Sequence, residues 1–313
     1  MLANQPRWFD GGPSRGERFR ARAGRKFTLM TATPDSLPFQ AVLALTEQLT
    51  GGSCQRLPWA RIRQILDDLT EGHFWLGYPM PGEWGTFRGR IENSTDLFEN
   101  VSQMSCRDPS DVKDYGRCHR PSVAVYYGAN NLDTVLSELS PEVGDRVHVA
   151  VSRPKTNAEI VLTAIGEIDH VRRYNRALVG NEETLAIIRG LLDNVKSDSD
   201  LRKIFLDAFM ADLFLAPASR ASDYKATSAL SDIIFSASMD GRPILDGFAY
   251  PSVAHRGGMN FALHRSAFLA KMEVIHCMAF EIIESLGYGI YGRKQYAKSK
   301  SIAPDGAIEW ERL

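Results

Sequence analysis

Two arginines stand two residues apart in TFRGRI, residues 86–91. On a strand, side chains alternate between faces, so Arg88 and Arg90 share one face while Phe87 and Ile91 turn to the core. A planar guanidinium offers paired hydrogen bonds, and two of them side by side could grip a pyrophosphate. The plainer alternative is a solvated pair, since two buried and unpaired cations would be costly. Glu138, in NNLDTVLSEL (130–139), flanks an apolar helical stripe instead of lying in it. That makes it either a half-sheltered carboxylate or an ordinary solvated glutamate. AYPSVAHRGGMN (249–260) carries Ser252 and Asn260 among turn residues. It reads as a connecting loop or as a polar lip at the end of a sheet, where ligands often sit.

Other common chemistries lack their signatures. The chain contains no G-x-x-x-x-G-K-[ST], no H-E-x-x-H and no G-x-S-x-G. This counts against a P-loop NTPase, a zinc protease and an α/β-hydrolase. Cys106, Cys118 and His119 match no standard zinc spacing, so no metal is expected.

The elements that must position these residues follow from periodicity. Residues 37–49, with Val42, Leu45 and Leu49, and residues 58–70, with Ile62, Ile65, Leu66 and Leu69, predict helices separated by Gly51 and Gly52. TFRGRI predicts a strand and 92–116 a long polar loop. SVAVYYGA (122–129) predicts a second strand. A helix over 130–139 follows, with Asn131 as its N-cap and Leu132, Val135, Leu136 and Leu139 as its stripe. Strands are expected at 146–152 and 158–168, then helices at 181–195, 199–215 and 224–238. Strands resume at 244–250, 259–264 and 273–283. Strands, then helices, then strands predict an α+β fold whose sheets join distant segments.

Composition sets the class. The chain has 313 residues, 44% of them hydrophobic, with 37 basic against 38 acidic side chains and a net charge of -1. A sizeable core is affordable, and no global basic field exists to hold nucleic acid. Four scattered cysteines without a C-x-x-C pair fit reduced thiols. The N-terminus shows no signal-peptide pattern, and Phe205–Leu215 is too short and too charged to span a membrane. A soluble, cytoplasmic protein is expected. Residues 1–35 cluster Arg15, Arg18, Arg20, Arg22, Arg25 and Lys26. They read as a solvated tail or as a phosphate- or partner-binding arm.

Two segments carry a resemblance. GRCHRPSVAVYYGANNLDTVLSELSPEVGDRVHVAV (116–151) and DGFAYPSVAHRGGMNFAL (246–263) resemble the RES-domain family, named for its Arg, Glu and Ser, and TFRGRI is similar to its first arginine strand. The ordered pieces span roughly residues 84–285. The resemblance implies a division into an N-terminal basic and helical region, 1–83, and a RES-like catalytic domain, 84–313. It also implies an ADP-ribosyltransferase-like α+β fold with mixed sheets, and chemistry on NAD as substrate. Family members hydrolyse or phosphorolyse NAD or transfer its ADP-ribose, and several are toxins paired with a DNA-binding, helix-turn-helix antitoxin. By motif, the family arginine falls on Arg88, with Arg90 as alternate. The G-R arginine falls on Arg117, the tyrosine on Tyr127, the glutamate on Glu138, the serine on Ser252 and the asparagine on Asn260. These roles imply that Glu138, Tyr127 and Arg88 are catalytic, with Glu138 stabilising the charge on the ribose and Tyr127 facing the nicotinamide. They also imply that Arg88, Arg90 or Arg117 holds the pyrophosphate and ribose, and that Ser252 and Asn260 fix the amide or ribose. Two features depart from the family. Cys118-His119-Arg120-Pro121-Ser122 stands where N-P-x-G is usual, and the chain is much longer than the compact toxins. The alternative function is a non-catalytic binding module on the same fold.

Overall fold

The computed structural model describes residues 37–73, 75–94, 96–239 and 242–313. The Arg-rich segment 1–35 lies outside the described residues. The chain opens with helices α1 (Phe39–Leu49), α2 (Gly51–Arg56) and α3 (Trp59–Thr70). Gly51 and Gly52, expected as a separator, begin α2 instead. The breaks fall at Thr50 and at Leu57, both extended, and Leu57 is held so by the following Pro58. Neither α1 nor α3 has a side-chain N-cap. The apolar stripe supplies what capping does not. Ile62, Ile65, Leu66 and Leu69 are all buried, each contributing about 1.5–3 kcal/mol.

Strands β1 (Tyr78–Met80) and β2 (Thr86–Ile91) precede the long loop, and β3 (Val125–Ala129) leads into α4 (Leu132–Leu139). β3 starts three residues later than the pattern predicts, because Ser122 takes a left-handed φ of 63° and turns the chain. β4 (Arg146–Pro154) and β5 (Ile160–Ala164) follow. The strand expected to run on to residue 168 stops at Ala164. Gly166, with φ 81°, redirects the chain into α5 (Glu167–Tyr174). Asp207, from far along the sequence, accepts the Gly166 and Asp169 N–H groups and caps that turn. The helical block continues with α6 (Glu182–Asp193), α7 (Asp198–Leu215) and α8 (Lys225–Ser236). A two-residue pair, β6 (Ser238–Met239) and β7 (Arg242–Pro243), leads to β8 (Gly247–Pro251) and β9 (Met259–His264). The end of the chain holds elements absent from the sequence reading. These are α9 (Arg265–Lys271), β11 (Ile290–Ile302) and β12 (Ile308–Arg312). The strand expected at 273–283 is β10 (Met272–Gly287), longer at both ends, and it forms a long hairpin with β11. Gly287, Tyr288 and Gly289 all take positive φ at the hairpin tip.

The fold is α+β. Among the described residues the main sheet has ten strands in the order β1-β5-β8-β9-β3-β2-β4-β10-β11-β12. Its pairs are antiparallel except β5 with β8. α1, α3, α7 and α8 bury Val42, Ile62, Phe214 and Leu230 in one core with Val125, Phe248 and Tyr250 of the sheet. α4 packs Val135 and Leu136 against Val147, Val149, Phe280 and Ile282 of β4 and β10. Among the described residues no helix is long and apolar enough to cross a membrane.

Candidate active site

The sheet is nearly two sheets. β2 pairs with β4 along its whole length, from Thr86↔Ser152 to Ile91↔Val147. On its other edge β2 meets β3 at one register pair, Phe87↔Ala129. Beyond Phe87 the two strands part, and a cleft of about 450 Å³ opens between them. Gly89 lets α4 close one side. A Cβ there would collide with Val135 and Leu139, so only glycine allows the helix to lie so near the strand.

One wall of the cleft is cationic. Arg88 and Arg90 share a face of β2 as the alternation requires, while Phe87 packs toward α4. Ile91, expected in the core, is 37% exposed because the strand has left β3 by then. Arg88 is not solvated. Its Nη1 donates to the Tyr127 carbonyl at 2.8 Å, its guanidinium lies 5.4 Å from the Tyr126 ring centroid, and its buried Nε has no partner. Burial pulls its pKa below the ordinary arginine value. Arg90 donates from Nη2 to the Ser105 carbonyl at 3.2 Å. Burial, then the neighbouring Arg88 and Arg107, bring Arg90 down to about 10, so it remains a cation at neutral pH. Arg107 also lines the cleft, is exposed, and makes no hydrogen bond or ion pair with the described residues.

The opposite wall carries the carboxylate. Asn131 caps α4 as predicted, its Oδ1 accepting the Thr134 N–H at 2.8 Å. One turn on, Glu138 projects beside the buried stripe and into the cleft. Its Oε1 accepts the Ser252 hydroxyl and the Asn260 amide, each at 2.6 Å. Ser252 is 4% and Asn260 6% exposed, so both donors are fixed groups of the interior. Oε2 has no donor among the described residues. Glu138 is thus exposed in area yet held at one oxygen, which neither simple expectation described.

Tyr127 joins the two walls. Its hydroxyl accepts the Cys118 N–H at 2.8 Å and lies 2.7 Å from His119 Nδ1. Burial raises the Tyr127 pKa well above the usual phenol value. Burial, and then Arg107, push His119 down to about 4. The hydroxyl is committed to the Cys118–His119 loop, so what Tyr127 offers the cleft is its ring. The segment 118–122, where the resemblance leads one to expect N-P-x-G, is therefore the one that holds the tyrosine.

Arg88, Arg90, Tyr127, Glu138 and Asn260 line one cleft, and Ser252 reaches it through Glu138. Arg117 is not among the lining residues. Its Nη1 donates to the Phe214 and Ala216 carbonyls at 2.6 and 3.4 Å, with the guanidinium 5.2 Å from the Tyr224 ring centroid. It satisfies the open carbonyls at the C-terminus of α7. Sequence reasoning missed Arg107, which lies in an aperiodic loop with no signal of its own. It also missed Tyr250, buried and lining the cleft two residues before Ser252; that residue stood in a segment already singled out. Among the described residues no three His, Cys, Asp or Glu side chains are placed to share a metal ion.

Residues 105–280, more than half of the chain, match the RES domain. The RES domain is a family associated with NAD-related toxin activity. No curated protein and no solved structure matches the chain.

Proposed function

Because the chain belongs to the RES-domain family, we propose that its cleft binds NAD and that the protein breaks the bond between ribose and nicotinamide. The observation that carries this reading is the opposition of the two walls. Three arginines face a carboxylate across a cleft, and NAD has a diphosphate for the first and a ribose that becomes positive in the reaction for the second.

The departing nicotinamide is a cationic ring and a good leaving group, so no general acid is required. The transition state is oxocarbenium-like, as in glycoside hydrolysis. Glu138 stabilises its charge through Oε2, while Ser252 and Asn260 hold Oε1 and keep the carboxylate from turning. A preorganised contact of this kind supplies on the order of 3 kcal/mol, by analogy with an oxyanion-hole donor. The Tyr127 ring offers its face to the cationic nicotinamide. Arg88, Arg90 and Arg107 neutralise the diphosphate. Arg88 and Arg90 enter with one N–H each already on a main-chain carbonyl, which fixes their orientation before substrate arrives.

The acceptor of the ADP-ribosyl group is water, phosphate or a protein side chain, and one assay separates them. Purified protein is incubated with NAD, with and without phosphate and candidate acceptor proteins, and nicotinamide and ADP-ribosyl products are measured. The expected result is nicotinamide release. Absence of both release and transfer would hand the cleft to the non-catalytic alternative. On this reading a toxin role brings with it a small DNA-binding antitoxin, which co-expression would reveal as relief of growth arrest.

A further inference from the structure

Of the two donors to Glu138, Ser252 is the first residue of the loop between β8 and β9, and Asn260 is the second residue of β9, just beyond the loop's other end. That loop is closed on itself. The Ser252 N–H donates to the Gly258 carbonyl at 3.0 Å, the Gly258 N–H to the His255 carbonyl at 2.9 Å, and the His255 N–H to Ser252 Oγ at 3.0 Å. These bonds shape the loop but do not tie it to α4. A different contact does so: His255 Nδ1 lies 2.8 Å from Thr134 Oγ1. Thr134 is fully buried and lies one helical turn before Glu138, on the same side of α4.

The protons of this contact follow from its neighbours. Thr134 Oγ1 is also 2.9 Å from Asn131 Oδ1 and 3.1 Å from Asn130 Oδ1. Each of those oxygens accepts a main-chain N–H, from Thr134 at 2.8 Å and from Met259 at 3.0 Å, which fixes them as acceptors. A hydroxyl has one proton. If Thr134 gave it to His255, its oxygen would face two acceptor oxygens with no hydrogen between them. Thr134 therefore donates to an asparagine, and His255 supplies its own proton from Nδ1. Gly258 completes the arrangement, since an added Cβ would run into both Thr134 Oγ1 and His255 Nδ1.

We propose that Thr134 and His255 are positioning residues for Glu138, an inference that rests on the NAD-cleaving reading above. Their contact clamps the β8–β9 loop to α4, so that Ser252 and Asn260 donate together to Oε1 and Oε2 stays turned to the ribose. Neither residue touches substrate.

The test is a double-mutant cycle on nicotinamide release by the full chain. His255→Ala lowers kcat on the order of tenfold, with KM for NAD nearly unchanged, because a misplaced catalytic group costs rate and not binding. His255→Asn, whose amide N–H stands close to the place of Nδ1–H, recovers most of the loss. In a Glu138→Gln background His255→Ala has no further effect, since both act through one carboxylate. If His255→Ala does not fold, Thr134→Val removes the same contact. A readout independent of turnover is the long-range proton–nitrogen spectrum of His255, which reports hydrogen on Nδ1. Losses that multiply in the double variant, or an imidazole protonated at Nε2 alone, overturn the clamp and leave NAD cleavage standing. A wild-type protein that releases no nicotinamide overturns the parent reading, and with it the positioning role.

Discussion

The two walls of the cleft are built on opposite plans. On the β2 side the ligand-facing groups are charged and their supports are backbone: Arg88 leans on the Tyr127 carbonyl and Arg90 on the Ser105 carbonyl, with no carboxylate among the described residues to neutralise them. On the α4 side the charge is a single carboxylate, and its supports are the neutral side chains of Ser252 and Asn260. Orienting a charge with neutral dipoles leaves that charge unspent. Had each arginine paired with an acid, or Glu138 with an arginine, the charge a wall presents would be answered by the protein itself and not by a ligand. The difference teaches that one wall is prepared for an anion and the other for developing positive charge, on supports that cancel neither.

The sharpest way to break the comparison is Glu138→Gln. Gln fits the same volume and removes the charge. We expect kcat and kcat/KM for nicotinamide release to fall together by about a hundredfold, the equivalent of on the order of 3 kcal/mol. Tm should hardly move, because no packing is lost. Unchanged turnover with a shifted Tm would make Glu138 structural and remove the α4 wall from the mechanism.

Arg88 tests the other wall. Arg88→Ala should raise KM for NAD about tenfold, within the range of a charged hydrogen bond. Arg88→Lys should recover little, since an ammonium cannot keep the Tyr127 carbonyl and also present a planar fork. Full activity in the lysine variant would show that only charge is needed there. The same pair of substitutions at Arg90 decides which arginine makes the shaped contact.

Arg107 separates fixed from free cations on one wall. Being exposed and unsupported, it should contribute to binding as a screened charge. Arg107→Ala is expected to raise KM a few-fold at low salt, and the difference should shrink as ionic strength rises, since the Debye length falls to about 8 Å at physiological salt. A loss that ignores salt would mean that Arg107 makes a shaped contact like Arg88.

The smallest effect concerns His119, which holds Tyr127 between the walls. Its pKa falls from an ordinary 6.5 to about 4 on folding. Between those values the unfolded chain binds a proton that the folded one refuses, so this residue makes stability fall as pH drops from 6.5 toward 4. His119→Gln should flatten that acid limb of a Tm–pH curve by a few degrees. His73, half-buried elsewhere and also pushed down to about 4 by desolvation, keeps the limb from vanishing. An acid limb identical to wild type would place the His119 proton outside the fold's energetics.

The parts of this site that were legible in the sequence are those with a local physical cause. TFRGRI alternates, and it forms a strand over the same six residues. Asn131 precedes an apolar stripe, and it caps α4. Ser252 and Asn260 lie in one turn-rich segment, and both reach Glu138. What was not legible has a distant cause. Arg117 looked equivalent to Arg88 until the C-terminus of α7 was seen to need its donors. The strand read over 158–168 stops early because Asp207, about forty residues on, caps the turn that ends it. Arg107 has no pattern around it at all.

Residue chemistry and periodicity, which depend on neighbours a few positions away, were enough to determine most element types between α1 and β10, while the ordered motifs carried the family resemblance. They also determined that a carboxylate would sit beside a helical stripe and two arginines on one strand face. Only the tertiary structure decided that these belong to one cleft. Ser252 lies 114 residues from Glu138 and Asn260 lies 122 residues from it. What brings them within hydrogen-bonding distance is the strand order that sets β9 beside β3, together with the parting of β2 from β3 after one pair. Strand order is settled by the burial of whole faces against the helices, an energy summed over the entire core, and no local stretch of sequence contains that sum.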